Sequence, residues 1–342
     1  MKPLWNPPPG WTVVETIDAH AAGEPLRIIT SGLPPIPGNS ILEKRRFARK
    51  NLDHLRTALL WEPRGHADMY GCIPTEPVSP GSDVGVLFLH NEGWSTMCGH
   101  GIIAFVTVAL ETGMVRLKKS DGLLRIDTPA GLVTAQAVTE RGHVREVSFL
   151  NVPSFVYALD KKVACPGLGQ VEVDIAFGGA FYAYCSAQRL GLNLVPEEFR
   201  NIIDLGVKVK RAVQESIPIR HPQEPDLGYL YGTIFTGRPS DPGHHSRHVC
   251  VFADGEVDRS PTGTGVSGRA ALLFARGEIG KGQPFVVESI LGTQFRGSIE
   301  ATIRFGPYEA VIPRVSGGAF ITGRNGFFID PSDPLRNGFI LR

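Results

Sequence analysis

The sequence contains the same short pattern twice. Residues 95–101 read Ser-Thr-Met-Cys-Gly-His-Gly, and residues 258–265 read Asp-Arg-Ser-Pro-Thr-Gly-Thr-Gly. When the two copies are superimposed, Cys98 falls on Thr262 and the Gly-x-Gly that follows is shared. In both copies this Gly-x-Gly opens an apolar run that is rich in alanine, which is typical of a loop that leads directly into a helix N-terminus.

Both apolar runs reach another glycine at the same distance, Gly113 in the first copy and Gly277 in the second. The two helices are therefore expected to have similar lengths, and each is expected to end at a glycine cap. The separation of the copies is far larger than the repeat of a solenoid, so the pattern predicts a duplicated domain. We expect a functional site where the two halves meet.

Composition limits the kinds of partner that the chain can bind. The 342 residues suit two domains, and 35 Lys+Arg against 34 Asp+Glu leave no basic block, so neither nucleic acid nor a membrane surface is an expected partner. No apolar run of membrane-spanning length is present, and residues 1–9 lack the apolar core of a signal peptide. The 40 glycines and 27 prolines favour many short strands joined by tight turns.

The five cysteines are odd in number and scattered, without any C-x-x-C pair. This spacing indicates neither a disulfide framework nor a zinc site, and a reducing cytoplasm is the expected location. Cys72, Cys165 and Cys185 carry no spacing signal and are interpreted as packing residues.

The hydrophobic pattern predicts an α+β fold of two similar domains, each a curved mixed sheet around its motif helix. Amphipathic helices are predicted at residues 41–61 and 196–215, at comparable places in the two halves. The boundary between the halves is predicted near residues 152–155. The predicted strand regions are 12–20, 25–30, 83–90, 123–138, 171–186, 229–236, 248–253 and 284–329.

The first motif suggests a reactive thiol. Unpaired amides of Gly99 and His100 at a helix N-terminus would hold an anion and lower the pKa of Cys98, which we expect on an exposed turn. The alternative is a buried, inert cysteine. A Cys-His hydrolase fits less well, because His100 lies too close in sequence to be the usual base.

The second motif allows two interpretations. Residues 263–268 match the G-x-G-x-x-G fingerprint of dinucleotide-binding sites, but no strand leads directly into them. The preferred interpretation is a second anion-binding helix end, formed by the amides of Gly263 and Thr264, that holds the same carboxylate as the first. Asp258 is then the group that pairs with a substrate ammonium, or else an ordinary solvated aspartate in a turn.

Several segments together resemble the proline racemase family, over almost the whole chain from about residue 13 to 341. The segments are the two motifs at 97–100 and 258–265 together with residues 17–27, 62–71 and 174–182. In racemases and epimerases of that family a second cysteine occupies the position of Thr262. With threonine there, and with residues 86–93, the chain is most similar to the trans-3-hydroxy-L-proline dehydratase branch.

The resemblance implies a fold like that of diaminopimelate epimerase, with the active site in a cleft between two domains. The corresponding units are residues 1–152 plus 320–342 and residues 153–319. It further implies a small imino-acid substrate, no metal and no other cofactor. A homodimer is the expected assembly, although the sequence does not determine the oligomeric state.

The exchange of cysteine for threonine has a chemical consequence. Inversion of a stereocentre needs an acid and a base on opposite faces, and a threonine hydroxyl is neither near neutral pH. Removal of the α-proton by Cys98 remains, and the carbanion can expel a neighbouring hydroxyl to give, after tautomerisation, pyrroline-2-carboxylate. The departing hydroxide takes its proton from Cys98 or from His100. An epimerase or racemase that uses water, and a non-catalytic amino-acid-binding protein, are the alternatives.

Two further groups of residues have the side chains of candidate site residues. His244, His245, His248 and Cys250 have the residue types of a metal site, but their spacing also suits a solvated loop. His20 and Glu24 either line the cleft or have structural roles.

Overall fold

The computed structural model describes residues 5–117 and 121–341. Residues 1–4, which belong to the segment predicted to lack a signal peptide, lie outside it, as do residues 118–120 and 342. The α-helices are α1 (Ile41–Asn51), α2 (Asp53–Leu60), α3 (Gly99–Glu111), α4 (Phe199–Ser216) and α5 (Gly263–Ala275), with short 3-10 helices at Gln188–Leu190, Pro196–Glu198 and Pro225–Leu227. The strands are β1 (Thr12–Ala21), β2 (Glu24–Ser31), β3 (Gly71–Thr75), β4 (Val84–Leu89), β5 (Trp94–Ser95), β6 (Leu123–Thr128), β7 (Gly131–Glu140), β8 (His143–Leu150), β9 (Ser154–Cys165), β10 (Gly169–Phe177), β11 (Phe181–Ser186), β12 (Leu230–Gly237), β13 (Ser246–Phe252), β14 (Glu256–Val257), β15 (Phe285–Glu288), β16 (Gln294–Phe305), β17 (Tyr308–Gly317) and β18 (Ala319–Ile329).

The strand pairing repeats in the two halves. In the first half β2 and β3 are parallel, β3 and β4 are antiparallel, β4 pairs with β5, and β4 and β6 are parallel. The second half has the same sequence of pairings with β11, β12, β13, β14 and β15. The predicted α+β fold with mixed sheets is therefore confirmed.

Two strands extend the sheets beyond this repeat. Along the sequence β18 comes last, yet it pairs with β1, while β9 pairs with β10. The edges of the halves are joined because β17 pairs with both β8 and β9. The division into residues 1–152 plus 320–342 and residues 153–319 stays a prediction.

The prediction of a single helix over residues 41–61 is wrong, because this segment forms two helices. Leu52 leaves the helical conformation at φ −119° and ψ 8°, and Asp53 begins α2. The Asp53 carboxylate accepts hydrogen bonds from Arg56 and from the Trp94 indole at 2.8 Å. These contacts to β5 fix a new helix start that hydrophobic periodicity does not reveal.

The two motif helices are the centres of the halves. Apart from the last residues of α3 and Arg269 and Phe274–Ala275 of α5, their side chains are buried, as expected for helices that are apolar on every side. Gly113 and Gly277 follow the ends of α3 and α5, both with φ +70°. The two predicted glycine caps are confirmed, since this left-handed conformation is one that glycine adopts without steric cost.

The N-termini of α3 and α5 approach each other more closely than any side chain permits. A Cβ atom on Gly99 would lie 2.4 Å from the Cα of Gly263, and one on Gly263 would lie 2.7 Å from the Cα of Gly99. Glycine is therefore required in both copies of the motif.

In the described part of the chain no helix is both long and apolar enough to span a membrane.

Replacement of Gly99 by alanine tests this contact. We expect Gly99→Ala to lower the free energy of unfolding by about 1–3 kcal/mol, since overpacking forces the two helix ends apart. The turnover number should fall by a larger factor than the folding equilibrium constant, because the candidate site lies between these two helix ends. Urea denaturation and activity assays measure the two effects. Gly280→Ala is the matched control, since a Cβ at Gly280 meets nothing within 4 Å. Equal losses of stability and turnover in Gly99→Ala and Gly280→Ala would contradict the close contact between the two helix ends.

Candidate active site

Cys98 occupies the N-cap of α3, directly after the short strand β5. Its backbone is extended, with φ −143° and ψ 111°, and its Sγ accepts a hydrogen bond from the Gly101 amide at 3.2 Å. A Cβ on Gly101 would lie 2.8 Å from Sγ, so glycine is needed for this bond. The predicted helix N-terminus is confirmed, although the amide that contacts sulfur is the one at Gly101.

The thiol is not on an exposed turn, and the predicted lowering of its pKa is wrong for this structure. Only 4% of Cys98 is exposed. Burial raises the pKa of Cys98 well above its ordinary value, and the nearby Asp258 carboxylate raises it too, whereas the Gly101 amide lowers it. Desolvation of the thiolate outweighs the helix N-terminus because the site is closed to water.

His100 is the polar side chain next to the thiol. Its Nδ1 lies 3.3 Å from Cys98 Sγ, and its ring meets the Tyr70 ring edge to face at a centroid distance of 4.9 Å. Burial lowers the pKa of His100, partly opposed by Asp258. A neutral imidazole in contact with a neutral thiol is the resting state that follows, and it is able to accept the thiol proton.

Thr262 is the N-cap of α5, the equivalent of Cys98 in the second half. Its backbone has φ +65° and ψ 91°, a conformation that is strained for a β-branched residue. Its buried Oγ1 has no nitrogen or oxygen partner among the described residues, and the hydroxyl interacts with the Cys250 thiol. Backbone strain at a residue that lines a pocket is typical of a position that serves a ligand.

Asp258 is buried, so its interpretation as a solvated turn residue is wrong. One carboxylate oxygen accepts the Ser260 amide at 2.7 Å, and the Asp258 amide donates to the Cys250 carbonyl. With 4% of its surface exposed, the carboxylate is a fixed negative group at the edge of the site. Such a group suits a substrate ammonium.

The structure brings all the residues named from the two motifs to one small pocket, whose free volume is about 10 Å³. The lining residues are Tyr70, Met97, Cys98, Gly99, His100, Tyr182, Tyr231, Phe252, Asp258, Thr262, Gly263 and Thr264. The functional roles assigned to the motif residues stay predictions. A ligand larger than a water molecule enters this pocket only when the lining side chains move.

The aromatic wall of the cavity was not found from the sequence. The hydroxyls of Tyr70 and Tyr231 lie 3.2 Å apart, Tyr231 stacks on Phe252, and the Tyr182 hydroxyl contacts Thr264 Oγ1 at 2.7 Å. Tyr70 directly precedes β3, the other three residues come from β11, β12 and β13, and their spacing in the sequence carries no motif. Pairing of the strands is what places them around one ligand.

Glu24 lies just outside the cavity and links the halves. It is fully buried, one of its oxygens accepts the Arg259 amide at 2.7 Å, and the other has no partner among the described residues. Burial raises the pKa of Glu24 well above its ordinary value, and Asp258 and Glu256 raise it further. By contrast His20 contacts Gly23 and Phe320 and does not line the cavity.

The histidine-rich segment 244–250 does not form a ligand set. His244 contacts Glu288 at 2.8 Å, and His248 contacts Ser246 at 3.3 Å. Within residues 5–117 and 121–341 no group of three or more candidate side chains is placed to hold a metal ion. Cys250 is buried behind Thr262, whose hydroxyl lowers the thiol pKa that burial raises. Cys72, Cys165 and Cys185 are buried packing residues, as predicted.

A buried thiol at one helix N-terminus lies close to a second helix N-terminus, and the pocket that both line is suited to proton transfer on a small anionic molecule. Comparison with known proteins agrees with this class. Residues 16–340 match the proline racemase family, and the chain belongs to that family.

Individual relatives cover nearly the whole chain. A trans-3-hydroxy-L-proline dehydratase of Colwellia psychrerythraea is 47% identical over 97% of this chain and 94% of its own length. A 3-hydroxyproline 2-epimerase of Burkholderia multivorans is 44% identical over 96% of this chain and 98% of its own length. The crystal structure of a hydroxyproline epimerase from Agrobacterium vitis, with bound trans-4-OH-L-proline, is 31% identical, covers 97% of this chain and 96% of that one, and superimposes with a TM-score of 0.91.

The buried carboxyl group of Glu24 makes stability depend on pH. The raised pKa means that folding disfavours the ionised form, so the wild type loses stability as pH rises from about 4.3, the value for a free glutamate, through the pKa of the folded protein. Glu24→Gln removes this cost and keeps the acceptor for Arg259. We expect its stability advantage over the wild type to grow with pH over this interval.

Urea denaturation between about pH 4 and pH 9 measures the effect. The control is Glu309→Gln, which changes an exposed glutamate on β17. A constant difference between Glu24→Gln and the wild type at all pH values would show that Glu24 does not titrate in the way its burial requires.

Proposed function

We propose that the chain dehydrates trans-3-hydroxy-L-proline to pyrroline-2-carboxylate and water. The observation that carries the proposal is the pairing of a single thiol, Cys98, with a hydroxyl, Thr262, at the two helix ends that line one cavity. Relatives that are 44–49% identical and are named trans-3-hydroxy-L-proline dehydratases support it. The reaction needs one base on one face of the substrate.

The carboxylate of the substrate lies between the two helix ends. The amides of Gly99 and His100 have no acceptor within α3, and those of Gly263 and Thr264 have none within α5. These donors stabilise the charge that builds on the carboxylate when the α-proton leaves. Asp258 pairs with the ring ammonium and fixes which face of the α-carbon meets Cys98.

The proton transfers balance with the groups that are present. The Cys98 thiol gives its proton to His100 at 3.3 Å, and the thiolate then removes the α-proton. The electron pair of that C–H bond forms the C2–C3 double bond as the C3–O bond breaks. The leaving hydroxide takes the proton from His100, which forms water and restores the neutral pair.

The stereochemistry of the substrate fits this arrangement. In the trans isomer the 3-hydroxyl lies opposite the carboxylate, so it shares a ring face with the α-hydrogen. Elimination is syn, and Cys98 with its neighbour His100 serves both groups from one side. Thr262 faces the other side, where its hydroxyl donates a hydrogen bond to the substrate without titrating near neutral pH.

Epimerisation of a hydroxyproline is the second candidate function. The 44% identical epimerase of Burkholderia multivorans and the epimerase structure with bound trans-4-OH-L-proline favour it. It requires an acid on the Thr262 side, which a water or the buried Cys250 thiol behind Thr262 would have to provide. The intact Cys98 site argues against a protein that only binds amino acids.

The location of the enzyme and its assembly are further points of the proposal. Five free cysteines that are all buried suit a reducing compartment, so we place the enzyme in the cytoplasm. A homodimer stays a prediction.

Incubation with trans-3-hydroxy-L-proline, trans-4-hydroxy-L-proline and L-proline tests the function. We expect pyrroline-2-carboxylate from the first compound alone, with little or no change of optical rotation for the other two. Cys98→Ser should lose at least about a thousandfold in turnover, since serine does not ionise near neutral pH, and should still bind pyrrole-2-carboxylate. Near-normal turnover by that variant would refute the role of the thiol.

The exchange Thr262→Cys tests why the enzyme eliminates rather than inverts. A thiol on the opposite face supplies the missing acid, so the variant should gain epimerase activity on proline and 4-hydroxyproline, which have no leaving group at C3. Reaction in heavy water distinguishes the outcomes: the parent exchanges the α-hydrogen with retained configuration, whereas the variant also inverts it. Thr262→Ser is the control. Inversion by the parent as fast as its dehydration would favour the epimerase.

A further inference from the structure

A second and larger cavity lies beside the pocket of the candidate site. It has a volume of about 370 Å³ and lies where side chains of α1 and α4 meet the turn between β4 and β5. Its lining residues are Arg45, Arg46, Arg49, His90, Glu92, Gly93, Trp94, Lys210, Gln214, Asp226, Tyr229, Leu230, Tyr231 and Ala253. Tyr231 lines both cavities, so they are neighbours.

The charge of this outer cavity is positive. Its two acids are already paired, Asp226 with Arg46 at 2.8 Å and Glu92 with Lys210 at 3.8 Å. Arg45 and Arg49 have no ion-pair partner in the described part of the chain. Asp53, which is already paired with Arg56, is the carboxylate within electrostatic range of Arg49, so the cavity keeps an excess of positive charge.

Arg45 is the informative member of the pair. The guanidinium is buried, with 7% of the residue exposed, and its only acceptor among residues 5–117 and 121–341 is the Trp94 carbonyl. A buried cation that is held by a neutral carbonyl pays for its desolvation without a counterion. An anion in the outer cavity supplies that counterion.

The histidine in the outer cavity does not alter this balance. Burial, together with Arg56 and Lys210, lowers the pKa of His90 to about 3, so the ring is neutral at physiological pH. Its ring lies against Tyr231 and Tyr70 at centroid distances of 5.7 and 5.8 Å. These three rings form the wall between the outer cavity and the catalytic one.

We propose that the outer cavity is a first binding site for the carboxylate of the imino acid, from which the substrate passes the Tyr231 wall into the catalytic cavity. The proposal rests on the proposed function only for the identity of the ligand. Cys98, Asp258 and Thr262 are each about 4% exposed, so the substrate needs a route past side chains that move. The ion pairs at the mouth oppose this motion weakly, since exposed pairs contribute about 0–1 kcal/mol.

The association kinetics of pyrrole-2-carboxylate test the proposal. Arg49→Gln removes one free charge from the mouth, while Lys50→Gln removes an equal charge from the next residue of α1, which does not line the cavity. Stopped-flow measurement of tryptophan fluorescence follows binding, because Trp94 lines the cavity. At low ionic strength we expect Arg49→Gln to slow association roughly three- to tenfold and to leave dissociation almost unchanged.

The salt dependence and a second anion complete the test. The difference between Arg49→Gln and the wild type should disappear at about 0.5 M salt, and inorganic phosphate should slow association in the wild type more than in the variant. Equal association rates for Arg49→Gln and Lys50→Gln, with binding intact, would overturn the outer site and leave the proposed function standing. Failure of pyrrole-2-carboxylate to bind any form of the protein would instead count against the proposed function.

Discussion

The contact between Gly99 and Gly263 is the constraint on which the rest of the structure depends. Two helix N-termini carry partial positive charge and repel each other, and they meet here with less room than one methyl group needs. That repulsion is relieved when a carboxylate lies between them. Burial of α3 and α5 among the strands of their halves supplies the packing that holds the ends together, so the proposed anion-binding site is a consequence of the fold.

Burial of the site explains why the pKa of Cys98 is raised, although a thiol at a helix N-terminus is expected to have a lowered pKa. A helix N-terminus lowers the pKa of a cysteine that water can reach, but Cys98 lies in a cavity that water barely enters. The same desolvation keeps His100 neutral and strengthens every hydrogen bond to a bound carboxylate. Reactivity therefore develops when the ligand arrives, since the thiol and the imidazole exchange a proton only when charge is present to stabilise the pair.

How much could be predicted from the sequence depended on the range of the interactions. Local signals were reliable: the glycines at 99, 101 and 113 fixed the start and end of α3, and the second copy did the same for α5. The break in the helix at Leu52 was not predicted, because it follows from the contact of Asp53 with Trp94, which is distant in the sequence. The aromatic wall was not predicted for the same reason. Tyr70, Tyr182 and Tyr231 meet only through strand pairing, which periodicity does not specify.

The backbone of Thr262 has a consequence for engineering the protein. A β-branched residue at positive φ stores strain in the folded state, and glycine or asparagine would release it. Selection of variants for heat resistance alone would favour substitutions at this position and would remove the hydroxyl that we propose contacts the substrate. Screens for more thermostable variants of the enzyme therefore need an activity assay at each round, because a substitution at this one residue would raise stability and lower activity together.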